Sequence, residues 1–202
     1  FITESYHFFF FLKLSANNKI QDWTLAITAE SSHKMSMPKS LDISKNKAPQ
    51  STGFWLMKTE PDVFSIHDLK KNKTTLWEGV RNYTARNYMM KDMEVGQNVL
   101  FYHSNAEPSG IAGLAKVSKK AIPDPLQFDK KSEYFDPKAT KEKPIWFCVE
   151  VEFEKIFKNV LSLAELKTIP ELCDMLVIKK GQRLSIQPVS EKNFKFICRN
   201  YS

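Results

Sequence analysis

Three short stretches of this sequence set functional side chains close behind an aromatic residue. Trp55 is followed by Lys58, Thr59 and Glu60, Trp77 by Val80, Arg81 and Asn82, and Tyr102 by Ser104 and Asn105. Aromatic walls with a few convergent donors and acceptors are what reading a single extruded base requires. Stacking gives such a site affinity, and hydrogen bonds to the base edge give it selectivity. A tryptophan near a strand end serves a protein core equally well, so the polar neighbours carry this reading.

Catalytic chemistry has less support. Gly110 and Gly113 lack the Lys-Ser/Thr pair and the helix of a phosphate loop. No HExxH, CxxC or clustered His/Cys set occurs, so neither a metal nor another cofactor is expected. His103 and Ser104 are neighbours on a predicted strand and point to opposite faces, which is poor geometry for a base and its nucleophile. An enzyme using Glu60 or His103 as its base is the alternative, and a protein-interaction module is another. Asn72-Lys-Thr74 and Asn82-Tyr-Thr84 match the glycosylation sequon, a motif short enough to arise by chance. Three cysteines without CxxC spacing suit free thiols in a reducing compartment better than a disulfide framework.

The elements that would position these groups follow from patterning. Phe54 to Lys58 reads as a strand, and Ser65 with Asp68 as a capping box opening a helix that ends near Lys71. Asn98 to His103 and Gly110 to Val117 read as two more strands, the glycines of the second permitting a bulge or a close backbone approach. Between Ile145 and Phe157, Ile145, Phe147, Val149, Val151 and Phe153 alternate with Trp146, Cys148, Glu150, Glu152 and Glu154, which predicts one core face and one wet face. Ser162 begins a helix through Leu166, Pro170 a short one, Leu184 to Val189 forms a last strand and Glu191 to Arg199 a last helix. The order is not a regular βαβ alternation, so the pattern favours a small mixed barrel decorated with helices.

Residues 83–93, wound as a helix, place Ala85, Met89, Met90 and Met93 on one apolar arc with Arg86 near its middle and Tyr83, Tyr88 and Lys91 off it. Arginine is almost never buried unpaired. Arg86 therefore requires a carboxylate, a group of carbonyls or a ligand's anionic group, and is read as a structural pin or a phosphate contact. Arg81 and Asn82 precede the helix, where backbone N–H groups favour anions, so phosphate contact is one reading of Arg81 and a structural role the other.

The chain has 202 residues, 42% hydrophobic and 26% charged, enough apolar material for one domain plus an appendage. Its net charge of +7 favours a polyanion as partner, and no apolar run approaches the roughly 18 residues of a membrane span. Residues 1–53 read as a low-order segment: Ser31 to Gly53 is rich in Ser, Lys, Asn and Pro, and residues before Met35 are read as extra to the native coding sequence. That segment holds 6 basic and 4 acidic residues, leaving 24 against 19, or +5, for the expected domain at 54–199.

Five blocks together resemble the EVE domain: Trp55-Leu-Met-Lys-Thr-Glu-Pro61, Trp77-Glu-Gly-Val-Arg-Asn-Tyr-Thr-Ala-Arg-Asn87, Phe101-Tyr-His-Ser-Asn105, Pro123-Asp-Pro125 and Leu184-Ser-Ile-Gln-Pro-Val189. The resemblance covers about residues 54–198. It implies an α+β fold, a PUA-like mixed β-barrel with peripheral helices related to the YTH domain. It also implies a non-catalytic, nuclear reader of a modified base, with modified cytosine in DNA favoured and RNA the alternative, and no obligate protein partner. By matching position the base pocket would draw on Trp55, Lys58, Thr59, Glu60, Trp77, Val80, Arg81, Asn82, Tyr102, Ser104 and Asn105, with Gln187 and Pro188 less securely placed.

Overall fold

Two successive strands of the chain's central sheet are apolar on both faces, and that fact organises the fold. The structure is a computed structural model that describes residues 53–202, so the expectations for the segment before them lie outside the described residues. Strand β1 (Phe54–Thr59) and strand β3 (Asn98–His103) pair in parallel, Phe54 opposite Asn98 through Thr59 opposite His103. Parallel strands at the centre of a sheet are covered on both sides and lose the in-out alternation. Trp55, Leu56 and Met57 are all fully buried for this reason, as are Val99, Leu100 and Phe101.

The other strands pair antiparallel around this centre. β2 (Thr74–Leu76), β4 (Gly110–Pro123), β5 (Phe147–Ser162) and β6 (Ile186–Pro188) complete one six-stranded sheet in the order β2-β5-β4-β3-β1-β6. β4 and β5 slip register at several points, and the bulges bend the long hairpin. Inward residues from β1, β3, β4, β5 and β6 then meet in one interior that includes Trp55, Met57, Val99, Phe101, Ala115, Val149 and Ile186. The fold is α+β, a PUA-like mixed barrel with helices outside it, as expected.

A second apolar cluster lies across the sheet. Leu56, Leu100 and Ile111 meet Leu166 of α3 (Leu163–Thr168) and Phe194 and Ile197 of α4 (Glu191–Tyr201) there. Helix α1 (Ile66–Asn72) covers the first cluster with Ile66 and Leu69, and its predicted capping box between Ser65 and Asp68 is present. Ser162 caps α3 in the same reciprocal way with Glu165.

Three expectations need correction. The helix predicted over 83–93 is a short α-helix, α2 (Tyr83–Asn87), continued by a π-helical turn at Tyr88–Asp92. The wider turn rotates the buried face. Tyr88 therefore enters the core against Trp55, at 5.4 Å between rings, while Met90 is 40% exposed. The wet face predicted for residues 145–157 is wet only at its far end, since Trp146 and Cys148 are buried. Finally, β4 and β5 run well beyond their predicted ends, and β2 was not expected; a three-residue strand is too short to show a period.

Candidate functional site

The parallel pairing of β1 with β3 sorts the expected site residues into two groups. Lys58 lies beside Tyr102 and Thr59 beside His103, so alternation sends the first pair to one side of the sheet and the second to the other. Lys58, Tyr102 and Ser104 line a cleft of about 620 Å³ on the α3 side, which they share with Lys167, Lys179, Lys180, Gln182 and Arg183. Ligand clefts run roughly 300–1,000 Å³, so this one is of useful size. The residues lining it include five cations and no acid.

Lys58 is the innermost charge of this cleft. Its ammonium donates to the Gln182 carbonyl at 3.4 Å and lies 5.7 Å from the centre of the Tyr102 ring. Neither contact supplies a full negative charge, and burial pulls the lysine below its ordinary range. Burial likewise pushes the Tyr102 phenol up. At the cleft's edge, Ser104 donates from both its backbone N–H and its hydroxyl to the Thr59 carbonyl. Asn105, at a φ of +51°, donates its side-chain amide to Glu60 at 2.9 Å. The ends of β1 and β3 are thus locked together with polar groups outward.

A separate set of expected residues, with Arg81 among them, surrounds a buried carboxylate. Asp124 is 1% exposed, and its Oδ2 accepts from Arg81 at 2.7 Å and from the Gly79 N–H at 2.9 Å. Its Oδ1 accepts from the Leu126 N–H at 2.8 Å. Arg81 also donates from Nε to the Tyr134 carbonyl at 3.0 Å, and its guanidinium stands 5.3 and 5.4 Å from the ring centres of Tyr134 and Trp146. Gly79, at a φ of +77°, lets the Tyr134 ring press against it, since a Cβ there would stand 3.0 Å from that ring. Gln127, fully buried, donates to the carbonyls of Asp124 and Trp146 and accepts from the N–H groups of Ile145 and Trp146. The loop from Glu78 to Asn82 is therefore pinned from below. Burial and the nearby Asp124 push the Glu78 carboxyl up, and burial raises the Cys148 thiol to about 12.

Other expected residues have supporting positions. Trp55 is fully buried, its indole donating to Gln97 at 2.7 Å. Trp77 is 7% exposed and stands edge-on to Phe101 at 5.5 Å, and Val80 joins the same core. Neither tryptophan offers an open face, because the barrel interior closes around both. Asn82 caps α2, accepting from the N–H groups of Thr84 and Ala85. Thr59 donates to the Phe64 carbonyl, and Gln187, also buried, donates to the Leu184 carbonyl. Pro188 borders a smaller cavity with Asp174 and Asn193. Arg86 meets a carbonyl, that of Ile145 at 3.0 Å, and stacks 4.7 Å from the Tyr83 ring.

His103 and Ser104 do not form a catalytic pair. His103 is buried, its Nε2 accepts the Ile66 N–H at 3.1 Å, and burial pulls its pKa down. Sequence reasoning missed Tyr134 and Trp146, which flank Arg81, and the cations of residues 179–183. Pro123-Asp-Pro125 was a visible block, but nothing local shows that its carboxylate is buried.

Known proteins share this fold. The EVE domain profile matches residues 53–200. Human thymocyte nuclear protein 1 is 39% identical over 180 residues, which are 80% of each chain. The zebrafish (Danio rerio) protein of that name is 43% identical over 162 residues, 71% of this chain and 69% of its own. Among solved structures, a hypothetical protein from Leishmania major is 52% identical with a TM-score of 0.69, covering 72% of this chain and 92% of its own. The human THYN1 protein in complex with 5-methylcytosine containing DNA is 42% identical with a TM-score of 0.67, over 72% of this chain and 95% of that one. With the profile spanning nearly all of the described residues and such identities across them, the chain belongs to the EVE domain family.

Proposed function

We propose that this protein is a non-catalytic reader of a modified base in DNA, modified cytosine above all, and that it receives one nucleotide flipped from the duplex. The observation that carries the proposal is the Lys58 ammonium, half-buried against Tyr102 in a cleft lined by cations and no acid. Such a site favours an anionic guest, as a nucleotide is. The human relative that was crystallised with 5-methylcytosine DNA supports the same ligand class.

In this reading the base enters beside Lys58 and Ser104, with the buried Tyr102 ring beneath them, and the Glu60–Asn105 pair stands at the strand ends next to the cleft. Thr59 fixes the strand end, while Trp55, Trp77 and Val80 hold the barrel wall from within and Asn82 and Arg81 hold the neighbouring loop. Gln187 and Pro188 shape β6 beside β1. The relatives' name, thymocyte nuclear protein, supports a nuclear location.

Magnitudes decide what such a reader can discriminate. Stacking contributes roughly 1–3 kcal/mol per base but is tolerant of identity. A methyl group in an apolar niche adds about 0.8 kcal/mol, only a few-fold preference. Stronger discrimination requires hydrogen bonds to a polar substituent, or a flipping cost that differs between bases. Modest preference for 5-methylcytosine and larger preference for 5-hydroxymethylcytosine are expected in a panel of otherwise identical duplexes titrated at fixed salt. Equal affinity for plain cytosine and every modified form removes the reader.

A further inference from the structure

Phosphate contact was one sequence reading of Arg81. The structure engages that guanidinium internally: Nη1 is 2.7 Å from the buried Asp124 carboxylate, and Nε donates to the Tyr134 carbonyl. A phosphate would have to compete with a partner that is already in place and already desolvated. The cations free for this task lie elsewhere. Lys179, Lys180 and Arg183 are exposed at the cleft, and none stands within ion-pair distance of a carboxylate among the described residues.

We propose that residues 179–183 form a phosphate clamp, gripping the DNA backbone next to the nucleotide that enters the cleft. The inference rests on the reading of that cleft as the base site, and its own support is geometric. Gly181, at a φ of +78°, bends the segment back on itself, and the Gln182 N–H donates to the Lys179 carbonyl at 3.2 Å. This turn sets three cations around one bend. The same loop is tied to the cleft's interior: the Lys58 ammonium donates to the Gln182 carbonyl, and the Lys58 N–H donates to the Ser185 carbonyl at 2.8 Å. Backbone grip and base contact are therefore mounted on one strand end. Phosphate contacts position a protein on nucleic acid without reading sequence, so the clamp should serve modified and plain DNA alike.

The test replaces Lys179, Lys180 and Arg183 together with glutamine in the full chain and titrates duplexes bearing either 5-hydroxymethylcytosine or cytosine between 50 and 200 mM salt. A control changes Lys130, Lys131 and Lys143 to glutamine, lowering net charge equally with three exposed lysines outside the cleft lining. Each lost phosphate contact lowers the salt slope by about 0.9, so the clamp variant's loss of affinity across this range should shrink by about 40-fold relative to the parent. Affinity at 50 mM should fall for both duplexes together, leaving their ratio unchanged. An unaltered slope, or an equal change in the control, overturns the clamp. Lys58→Met keeps the outcomes apart. If the parent prefers hydroxymethylcytosine and Lys58→Met loses that preference while the glutamine variant keeps the parental slope, the reader stands and the clamp fails. If no preference exists but the slope falls only in the clamp variant, the clamp stands as a general DNA grip and the reader fails.

Discussion

Asp124 shows at the scale of one residue how much of this site rests on groups that touch no ligand. Its two oxygens accept from Arg81, Gly79 and Leu126 at 2.7–2.9 Å while the residue is 1% exposed. Truncating one partner of a buried pair leaves the other charged and unsatisfied, which costs about 3–5 kcal/mol. Arg81 keeps partial exposure and two backbone carbonyl partners, so the lower end of that range is the expectation for Asp124→Ala. Urea unfolding followed by tryptophan fluorescence measures it, and a variant within 1 kcal/mol of the parent would show that Arg81 and Gly79 find water instead. The sequence displayed Asp124 between two prolines but not its burial, because burial depends on Gln127 and Trp146 folding across it. Arg86 was more legible: an arginine in the middle of an apolar arc has to meet a polar group, and it meets the Ile145 carbonyl.

The β4–β5 hairpin makes the corresponding argument at the scale of an element. A Cβ on Gly110 would stand 2.3 Å from the Leu161 carbonyl oxygen, and one on Gly113 2.3 Å from that of Lys155. Both obstacles are backbone, so no side-chain rotation relieves them. Gly113 also sits where the register with β5 shifts. The expectation read from these glycines, a bulge or a close backbone approach, is what the strand pair contains. Gly110→Ala and Gly113→Ala should each destabilise by about 1–3 kcal/mol, the range for overpacking a filled interior. The readout is a lower urea midpoint at an unchanged m-value. If either alanine leaves the midpoint in place, the strands separate more easily than this packing allows. Elements whose signals are local were legible in this way, the capping boxes at Ser65 and Ser162 among them. The π-helical turn at Tyr88–Asp92 was not, since no residue type specifies it. The cleft was half legible. Lys58, Tyr102 and Ser104 stood out by type, but their shared side of the sheet depends on a parallel register between strands some forty residues apart. The basic turn at 179–183 resembles any solvated lysine-rich loop until β6 brings it beside Lys58.

At the scale of the whole molecule, residues 53–202 contain two apolar clusters, a buried carboxylate and a cleft. Each cluster joins residues far apart in sequence: Trp55 meets Tyr88, and Leu56 shares its core with Phe194 and Ile197. A segment held together by long-range contacts of this kind should unfold as one cooperative unit. A fragment of residues 53–202 is therefore expected to fold alone, with a single thermal transition within a few degrees of the full chain's. It also retains most of the excess positive charge, 24 basic residues against 19 acidic after residue 53. Because phosphate attraction scales with local cation count, its affinity for DNA and its salt slope should stay close to those of the full chain. Parallel melting curves and salt titrations of the two proteins measure both properties. A fragment that melts early would place part of the core's support before residue 53, whereas one that melts normally but binds with a shallower slope would give the six basic residues there a share of the DNA contact.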